Sequence, residues 1–448
     1  MEVIIFIYVI YYTFVSSLQH PKSKRPVGYQ QNSVKIKKSE LEKSVFLCYI
    51  ERASGGFFKK EVFAIFSDKM RFFEPSVFVK IMAAIESCTL PVTDLSVGTP
   101  DMPPAKHILD AFLKNGADPE NHKYALADTT ELTDAAVQWY RRRFSVPLER
   151  KNICGLIGSQ DGLAHLPLML LDPGDGVFAP DPGYPMFLSG ARLSSASILP
   201  TPLHEEGGYL VDYDKISPAE AHGAKVLIVS YPSNPLGRLA PPEFFEKTVW
   251  FAKKYGIYVI HDNAYVELTF DGATGRSFLE TKGAIDVGVE FNSLSKSYNL
   301  TGARISFMLG NPDMCAALTR LKSNIDYGIF KPVQAMAVAA LTGPQDCLDD
   351  LRAEYQKRRD ALVSALFEGG WTITPPQGTM FVWAKLPEKF RDSLDFTLKL
   401  LKNTGVALVP GISFGALGEG YVRIGLVRPA AEMAEAARLI TGFIRSAQ

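Results

Sequence analysis

One lysine, Lys296, sits in the stretch SLSKSYNLTGAR (residues 293–304), among hydroxyls and amides and eight positions before an arginine. A lysine acts as a nucleophile only when its amine is neutral or masked, by desolvation, by a neighbouring cation, or by storage as a Schiff base. Arg304 with Ser293 and Ser295 supplies the donors of a phosphate cradle, because a guanidinium grips phosphate oxygens in bidentate fashion. A Schiff-base lysine beside a phosphate cradle points to pyridoxal 5'-phosphate. That cofactor makes further demands: a carboxylate to keep its ring nitrogen protonated, donors for its phenolic oxygen, and an aromatic face for its ring.

The chain offers a residue for each demand. Asp262 in HDNAY is the carboxylate, and Tyr265 in the same motif is a phenol. Asn234 in YPSNPLG is the amide, and Tyr184 in PDPGYP the aromatic. GSQDG, containing Ser159, Gln160 and Asp161, precedes a helix-like run whose first backbone N–H groups suit a phosphate. Taken singly, each has a plainer reading as a strand-end cap, a helix N-cap or a core ring. Their joint occurrence, in an order matching one cofactor, favours the site.

The elements that must position these residues are legible as alternation. KVLIVSYP, EFFEKTVWFAKKYG and IYVIHDNAY read as strand, helix and strand, and VGVEFNSLSK as a further strand-like run ending on Lys296. Repetition of that unit predicts an α/β fold with a mostly parallel sheet covered by helices, and such sheets collect ligands at the carboxyl ends of their strands. After about residue 340 the texture changes to a charged helical stretch followed by FVWAKLP, VALVPGISFG and GYVRIGL, which reads as a smaller α+β domain. The expected division is 1–65 as an N-terminal extension, 66–105 as the N-terminal part of the small domain, 106–339 as the large cofactor-binding domain, and 340–448 as the C-terminal small domain.

From about residue 70 onward the chain resembles the class I/II, fold type I, pyridoxal-phosphate aminotransferases. The lysine signature stands as SLSKSYNLTGAR, the N-P-x-G motif as SNPLG, the ring-nitrogen motif as HDNAY and the carboxylate-binding motif as YVRIGL, in family order. The resemblance implies Lys296 as Schiff-base lysine and proton shuttle, and Asp262 as partner of the ring nitrogen. It implies Asn234 and Tyr265 at the phenolic oxygen, Ser159, Gln160, Asp161, Ser293 and Arg304 around the phosphate, and Tyr184 on the ring. Arg423 is implied for the substrate α-carboxylate. Gly98 in LSVGTPD matches the family's N-terminal substrate-binding glycine, and Tyr124 in HKYALAD the tyrosine lent to a neighbouring subunit's phosphate. Both imply a homodimer with composite sites.

The finer texture, in GSQDGLAHLPLMLLDPGD and SKSYNLTGARIS, is similar to a bacterial subgroup of LL-diaminopimelate and glutamate-dependent alanine aminotransferases. Ala303 departs from the many relatives with a bulky aromatic before the arginine, which leaves the phosphate contact intact. The implied reaction moves an amino group from an L-amino acid to a 2-oxo acid, 2-oxoglutarate or pyruvate, by a ping-pong sequence. C–S lyase or decarboxylase chemistry on the same cofactor is the alternative, since the pocket chooses the bond. Two other readings fail on the sequence. Ser293-Leu-Ser-Lys296 also fits S-x-x-K, but no K-T-G or K-S-G follows. A transcription regulator with this domain as its sensor would need a winged helix at the start, and no three-helix pattern stands there.

Composition narrows the partners. A formal net charge of zero over 448 residues gives nucleic acid no electrostatic footprint. Five scattered cysteines, Cys48, Cys88, Cys154, Cys315 and Cys347, form no C-x-x-C pair and suit a reducing, cytoplasmic setting rather than a disulfide framework. No histidine spacing suggests a metal site. The opening run Val3–Val15 is short for a membrane span, and Glu2 replaces the basic start of a signal peptide. Residues 1–65 read either as a weak membrane signal or, preferably, as upstream sequence ahead of a start near Met70. No membrane is expected for the catalytic core. A chain lacking residues 1–65 is therefore expected to stay soluble, active and dimeric by size-exclusion chromatography and activity assay, and insoluble or inactive protein would contradict this.

Overall fold

The computed structural model describes residues 67–73 and 77–447. The expectation for residues 1–65 lies outside the described residues. The fold below is that of the unit Lys69–Gln448.

Seven strands form the main sheet: β2 (Ile153–Leu156), β3 (Gly176–Asp181), β4 (Ser197–Pro202), β5 (Ala224–Ser230), β6 (Tyr258–Asp262), β7 (Gly288–Ser293) and β8 (Ser306–Gly310). Their order is β2-β8-β7-β6-β5-β3-β4. The ladders from β4 through β7 are parallel, and β8 is antiparallel to both its neighbours. Six strands thus point one way and β8 the other. The carboxyl ends of β2, β3, β5, β6 and β7 reach one edge, and the chain enters β8 at that same edge.

The sheet is buried on both faces, so its strands are near-continuous apolar runs. Alternation sorts them. Ile260 of β6 and Val289 and Phe291 of β7 pack on one face with Leu156, Leu163 and Leu166. Val259 of β6 packs on the other, against Phe251, Ala252 and the Trp139–Tyr140 pair. β7 also inserts two polar side chains on that second face, Glu290 and Asn292, both buried.

A second core gathers around an antiparallel sheet of β9 (Phe381–Lys385), β11 (Val409–Pro410) and β12 (Tyr421–Gly425), in the order β11-β12-β9. The N-terminal segment joins this half: β1 (Thr93–Asp94) pairs in parallel with β10 (Val406–Ala407), and Leu95 is hydrogen-bonded to both Ala407 and Gly425. That pairing brings Ser96 and Gly98 over β12. The passage between cores falls within the helix Asp346–Glu368, where Leu348 belongs to the first core and Leu351 to the second. Tyr265, Leu268 and Phe270 also pack in the second core, although they follow β6 directly. Composition alone does not show that crossing. Among the described residues no helix is long and apolar enough to cross a membrane.

One local expectation differs. The strand-like run does not continue to Lys296: β7 ends at Ser293, whose Oγ accepts the Ser295 backbone N–H at 3.2 Å and caps a one-turn helix, Leu294–Ser297. Lys296 therefore stands on a helical turn, its side chain set by the cap rather than by strand alternation.

Candidate active site

A cavity of about 1010 Å³ opens at the strand-end edge, between the two cores. Its lining follows from the topology. β2 leads into Gly158, Ser159 and Gln160; β3 leads to Tyr184; β5 to Asn234; β6 to Asp262 and Tyr265; β7 to Ser293, Ser295 and Lys296; and Arg304 lies just before β8. Gly98 and Arg423 close it from the second core.

Charge without countercharge dominates this cavity. Arg423 on β12 is 4 % exposed, yet among the described residues no carboxylate pairs with it. Its Nη1 donates to Asn234 Oδ1 at 3.1 Å and its Nη2 to the Ser96 carbonyl at 3.0 Å, while Nε has no partner. The guanidinium carbon stands 4.0 Å from the Phe381 ring centroid and 4.9 Å from that of Phe414, so two aromatic faces hold it. Burial pulls its pKa down to about 10. A buried cation held by neutral partners keeps most of its desolvation cost until an anion arrives.

Lys296 Nζ donates to the Gly98 carbonyl. Burial, aided by the nearby Arg423 and Arg304 charges, lowers its pKa to about 8. Asp262 shows the reverse: burial raises its carboxyl to about 6, against the nearby His261 and the Ala264 backbone N–H, which favour the anion. Asp262 Oδ1 is buried without a partner. Burial likewise raises the phenols of Tyr184 and Tyr265 above their ordinary range, so both stay protonated donors.

The phosphate end is built from a helix start. The helix Ser159–Leu170 begins after Gly158, whose φ of 76° is left-handed and whose missing side chain makes room for Arg304: a Cβ there would lie 2.3 Å from Nη2. Ser159 Oγ is buried with no partner. Arg304, itself in the left-handed region at φ 54°, donates from Nη1 to the Thr301 carbonyl at 3.0 Å. A guanidinium, free hydroxyls and helix N–H groups together suit a phosphate dianion. The orphaned Ser159 Oγ, Asp262 Oδ1 and Arg423 Nε, with the cradle beside Gly158, fit pyridoxal 5'-phosphate carrying a carboxylate substrate.

Two expected residues do not face this cavity. Asp161 is a correction: its carboxylate turns into the protein, where it takes Lys322 Nζ, His165 Nδ1 at 2.6 Å and the Ile157 N–H at 2.8 Å. It anchors the turn before the helix instead of meeting a phosphate. Tyr124 is 78 % exposed, packs on Tyr327 with ring centroids 5.5 Å apart, and does not line this cavity. Motif reading also missed Ser96, Phe381 and Phe414, which hold Arg423. Only the aromatic content of FVWAKLP hinted at any of them.

The lowered Lys296 value has a testable sign. The amine is neutral above about pH 8 and charged below, instead of turning near the ordinary ~10.4. In cofactor-free protein, acylation of Lys296 followed by peptide mass spectrometry is expected to reach half its maximal rate near pH 8, and a midpoint near the ordinary value would contradict the desolvated site.

Comparison with known proteins accords with this arrangement. Residues 91–440 match the family model "Aminotransferase class I and II". The chain is 42% identical to an LL-diaminopimelate aminotransferase of Desulforudis audaxviator over 381 residues, 84% of this chain and 97% of the relative. It is 39% identical to the glutamate-pyruvate aminotransferase AlaC of Escherichia coli over 359 residues, 79% of this chain and 87% of that one. Among solved structures it resembles substrate-bound BacF of Bacillus subtilis, with a TM-score of 0.80 and 32% identity over 87% of this chain and 98% of that one. A probable N-succinyldiaminopimelate aminotransferase of Thermus thermophilus gives a TM-score of 0.78 and 38% identity over 82% and 100%. With a lysine, a carboxylate, a phosphate cradle and an unpaired arginine converging in one cleft, the chain belongs to the class I and II aminotransferases, which use pyridoxal 5'-phosphate.

Proposed function

We propose that this aminotransferase passes the amino group of an L-amino acid to 2-oxoglutarate or pyruvate through the cavity described above, with its own residues in the following roles. The observation that carries the reading is Arg423, a buried cation with, among the described residues, a free Nε and no anionic partner, facing the same cavity as Lys296. Every amino acid and 2-oxo acid in such a reaction bears an α-carboxylate, and Arg423 offers the planar fork that grips both its oxygens. The names of the relatives support substrates of this class.

Bound in the cleft, pyridoxal 5'-phosphate supplies an electron sink for the substrate Cα. The chain supplies the rest. Asp262, once its free Oδ1 meets a protonated ring nitrogen, is held as an anion and holds that proton in place. Asn234 gives its Oδ1 to Arg423, which leaves its Nδ2 as the donor for the phenolic oxygen beside the Tyr265 hydroxyl. Ser159, Gln160, Ser293 and Arg304 take the phosphate, and Tyr184 covers the ring. Lys296 Nζ, whose pKa burial lowers to about 8, removes the Cα proton as a general base and returns it as a general acid. Gly98 offers its carbonyl to Lys296, and a Cβ there would lie 3.3 Å from the Phe381 ring.

The working unit is a homodimer in the cytoplasm. Tyr124, Leu126, Ile325 and Tyr327 stand exposed on one stretch of surface beside Phe330, a cluster that a second copy would cover, delivering Tyr124 to the neighbouring phosphate. Residues 66–105 and 340–448 form the small domain and 106–339 the large one.

Arg423→Lys keeps the charge and loses the fork. It is expected to lower kcat/KM for amino donor and oxo-acid acceptor alike, by roughly 2–5 kcal/mol in transition-state terms, with cofactor affinity nearly unchanged. Wild-type kinetics with both substrates would place the carboxylate elsewhere.

A further inference from the structure

We propose that His261, which touches neither cavity nor substrate, is a buried imidazolium that positions the strand ends of the active site and holds Asp262 as a carboxylate. The observation is the pair of acceptors on its ring. Nδ1 lies 2.9 Å from Glu290 Oε2 and Nε2 lies 3.0 Å from the Tyr231 carbonyl oxygen, and both His261 and Glu290 side chains are 0% exposed. A neutral imidazole has one N–H and one lone pair. The carbonyl can only accept, so Nε2 carries a proton, and the question becomes where the proton between Nδ1 and Glu290 sits.

The surroundings of Glu290 answer it. Tyr140 Oη donates to Oε1 at 2.6 Å, the Phe278 backbone N–H to Oε2 at 2.7 Å, and Ser277 Oγ lies 3.0 Å from both oxygens. Burial alone would raise this carboxyl, but the hydrogen bonds and the neighbouring His261 hold it below its ordinary value. A carboxyl surrounded by donors is an anion, so Nδ1 donates as well and the ring is charged. The Phe245 and Phe278 rings pack on the imidazole and exclude water from the pair.

This pair lies under the site. Along β6, His261 points to one face of the sheet and Asp262 to the other, so the charge stands behind the strand that presents Asp262. Nε2 fixes the Tyr231 carbonyl, three residues before Asn234. Glu290 lies three residues before Ser293, and Tyr140 Oη, besides donating to Glu290, accepts from Asn292 Nδ2 at 3.2 Å. One buried network therefore ties together the ends of β5, β6 and β7, which carry Asn234, Asp262 and Lys296. The ionisable groups facing His261 are Glu290 from β7, Tyr140 from the helix Thr130–Phe144, Tyr231 beyond β5, and Asp262 across its own strand. Of these charges, His261 favours the Asp262 anion and Glu290 opposes it more weakly.

The protonation state stands independently of the aminotransferase reading, whereas the positioning role rests on it, so the test has two arms. In histidine-15N-labelled holoenzyme, long-range 15N–1H spectra at about pH 8, where an ordinary histidine is neutral, are expected to show both His261 nitrogens protonated. The resonances are assigned by their loss in His261→Gln or, should that variant not fold, by their shift in Tyr140→Phe. An unprotonated Nδ1 overturns the proposal. The second arm measures pyridoxal 5'-phosphate affinity by equilibrium dialysis. Without the charge, Asp262 protonates more readily as pH falls and can no longer pair with a protonated ring nitrogen. The affinity loss of His261→Gln relative to wild type is therefore expected to be about tenfold greater near pH 6 than near pH 8.5. An equal loss at both pH values, or none, shows that His261 only fills space and overturns the positioning role. A protein that binds no pyridoxal phosphate at any pH, with an intact imidazolium spectrum, would instead contradict the aminotransferase reading.

Discussion

Desolvation of charge is the constraint on which the rest of this structure depends. Lys296, Asp262 and Arg423 share a cleft in which none of them forms an ion pair among the described residues, and burial moves each toward its neutral form. Left alone, such groups weaken a fold, because buried ions are costly unless paired. The cost is the counterpart of selectivity: a ligand with a protonated ring nitrogen and a carboxylate relieves Asp262 and Arg423 at once, while its anionic end meets Arg304. A poised amine then follows without further devices, since the two guanidiniums that await anions also discourage the ammonium form of Lys296.

The fold meets this constraint by keeping its strained elements at one edge of a rigid sheet. Parallel strands deliver Tyr184, Asn234, Asp262 and Lys296 to that edge, and the single reversed strand, β8, lets Arg304 enter there too. The second core supplies what the sheet cannot, an arginine approaching from above. The β1–β10 pair matters here out of proportion to its two residues per strand. It threads the N-terminal segment over β12, so that the Ser96 carbonyl holds Arg423 and the Gly98 carbonyl holds Lys296. Beneath the edge, the Tyr231–His261–Glu290–Tyr140–Asn292 network locks the strand ends together from the opposite face.

Much of the site was legible because its residues follow local rules. Asn234, Asp262 and Lys296 each come just after an apolar strand-like run, and Arg423 lies within one; their side-chain types match the charges of one cofactor and its substrate. What escaped was set by distance along the chain. Asp161 looked like part of a phosphate loop, but its partner Lys322 lies 161 positions away. His261 carried no reading of its own within HDNAY, and only Glu290 and the Tyr231 carbonyl give it a charge. The three residues of Tyr265, Leu268 and Phe270 joined the second core because the chain leaves the sheet after β6, and no periodicity marks that exit. Tyr124 acquires a role only in the proposed dimer.

The central claim is that this desolvated cleft moves an amino group rather than cleaving another bond of the substrate. Mixing the holoenzyme with an L-amino acid alone, without any oxo acid, tests it in a single turnover. The account predicts that the cofactor is converted to its amine form while one equivalent of the matching 2-oxo acid is released per subunit, with no ammonia, and that added 2-oxoglutarate or pyruvate restores the starting spectrum. Continuous release of ammonia, sulfide or carbon dioxide without a second substrate would contradict it.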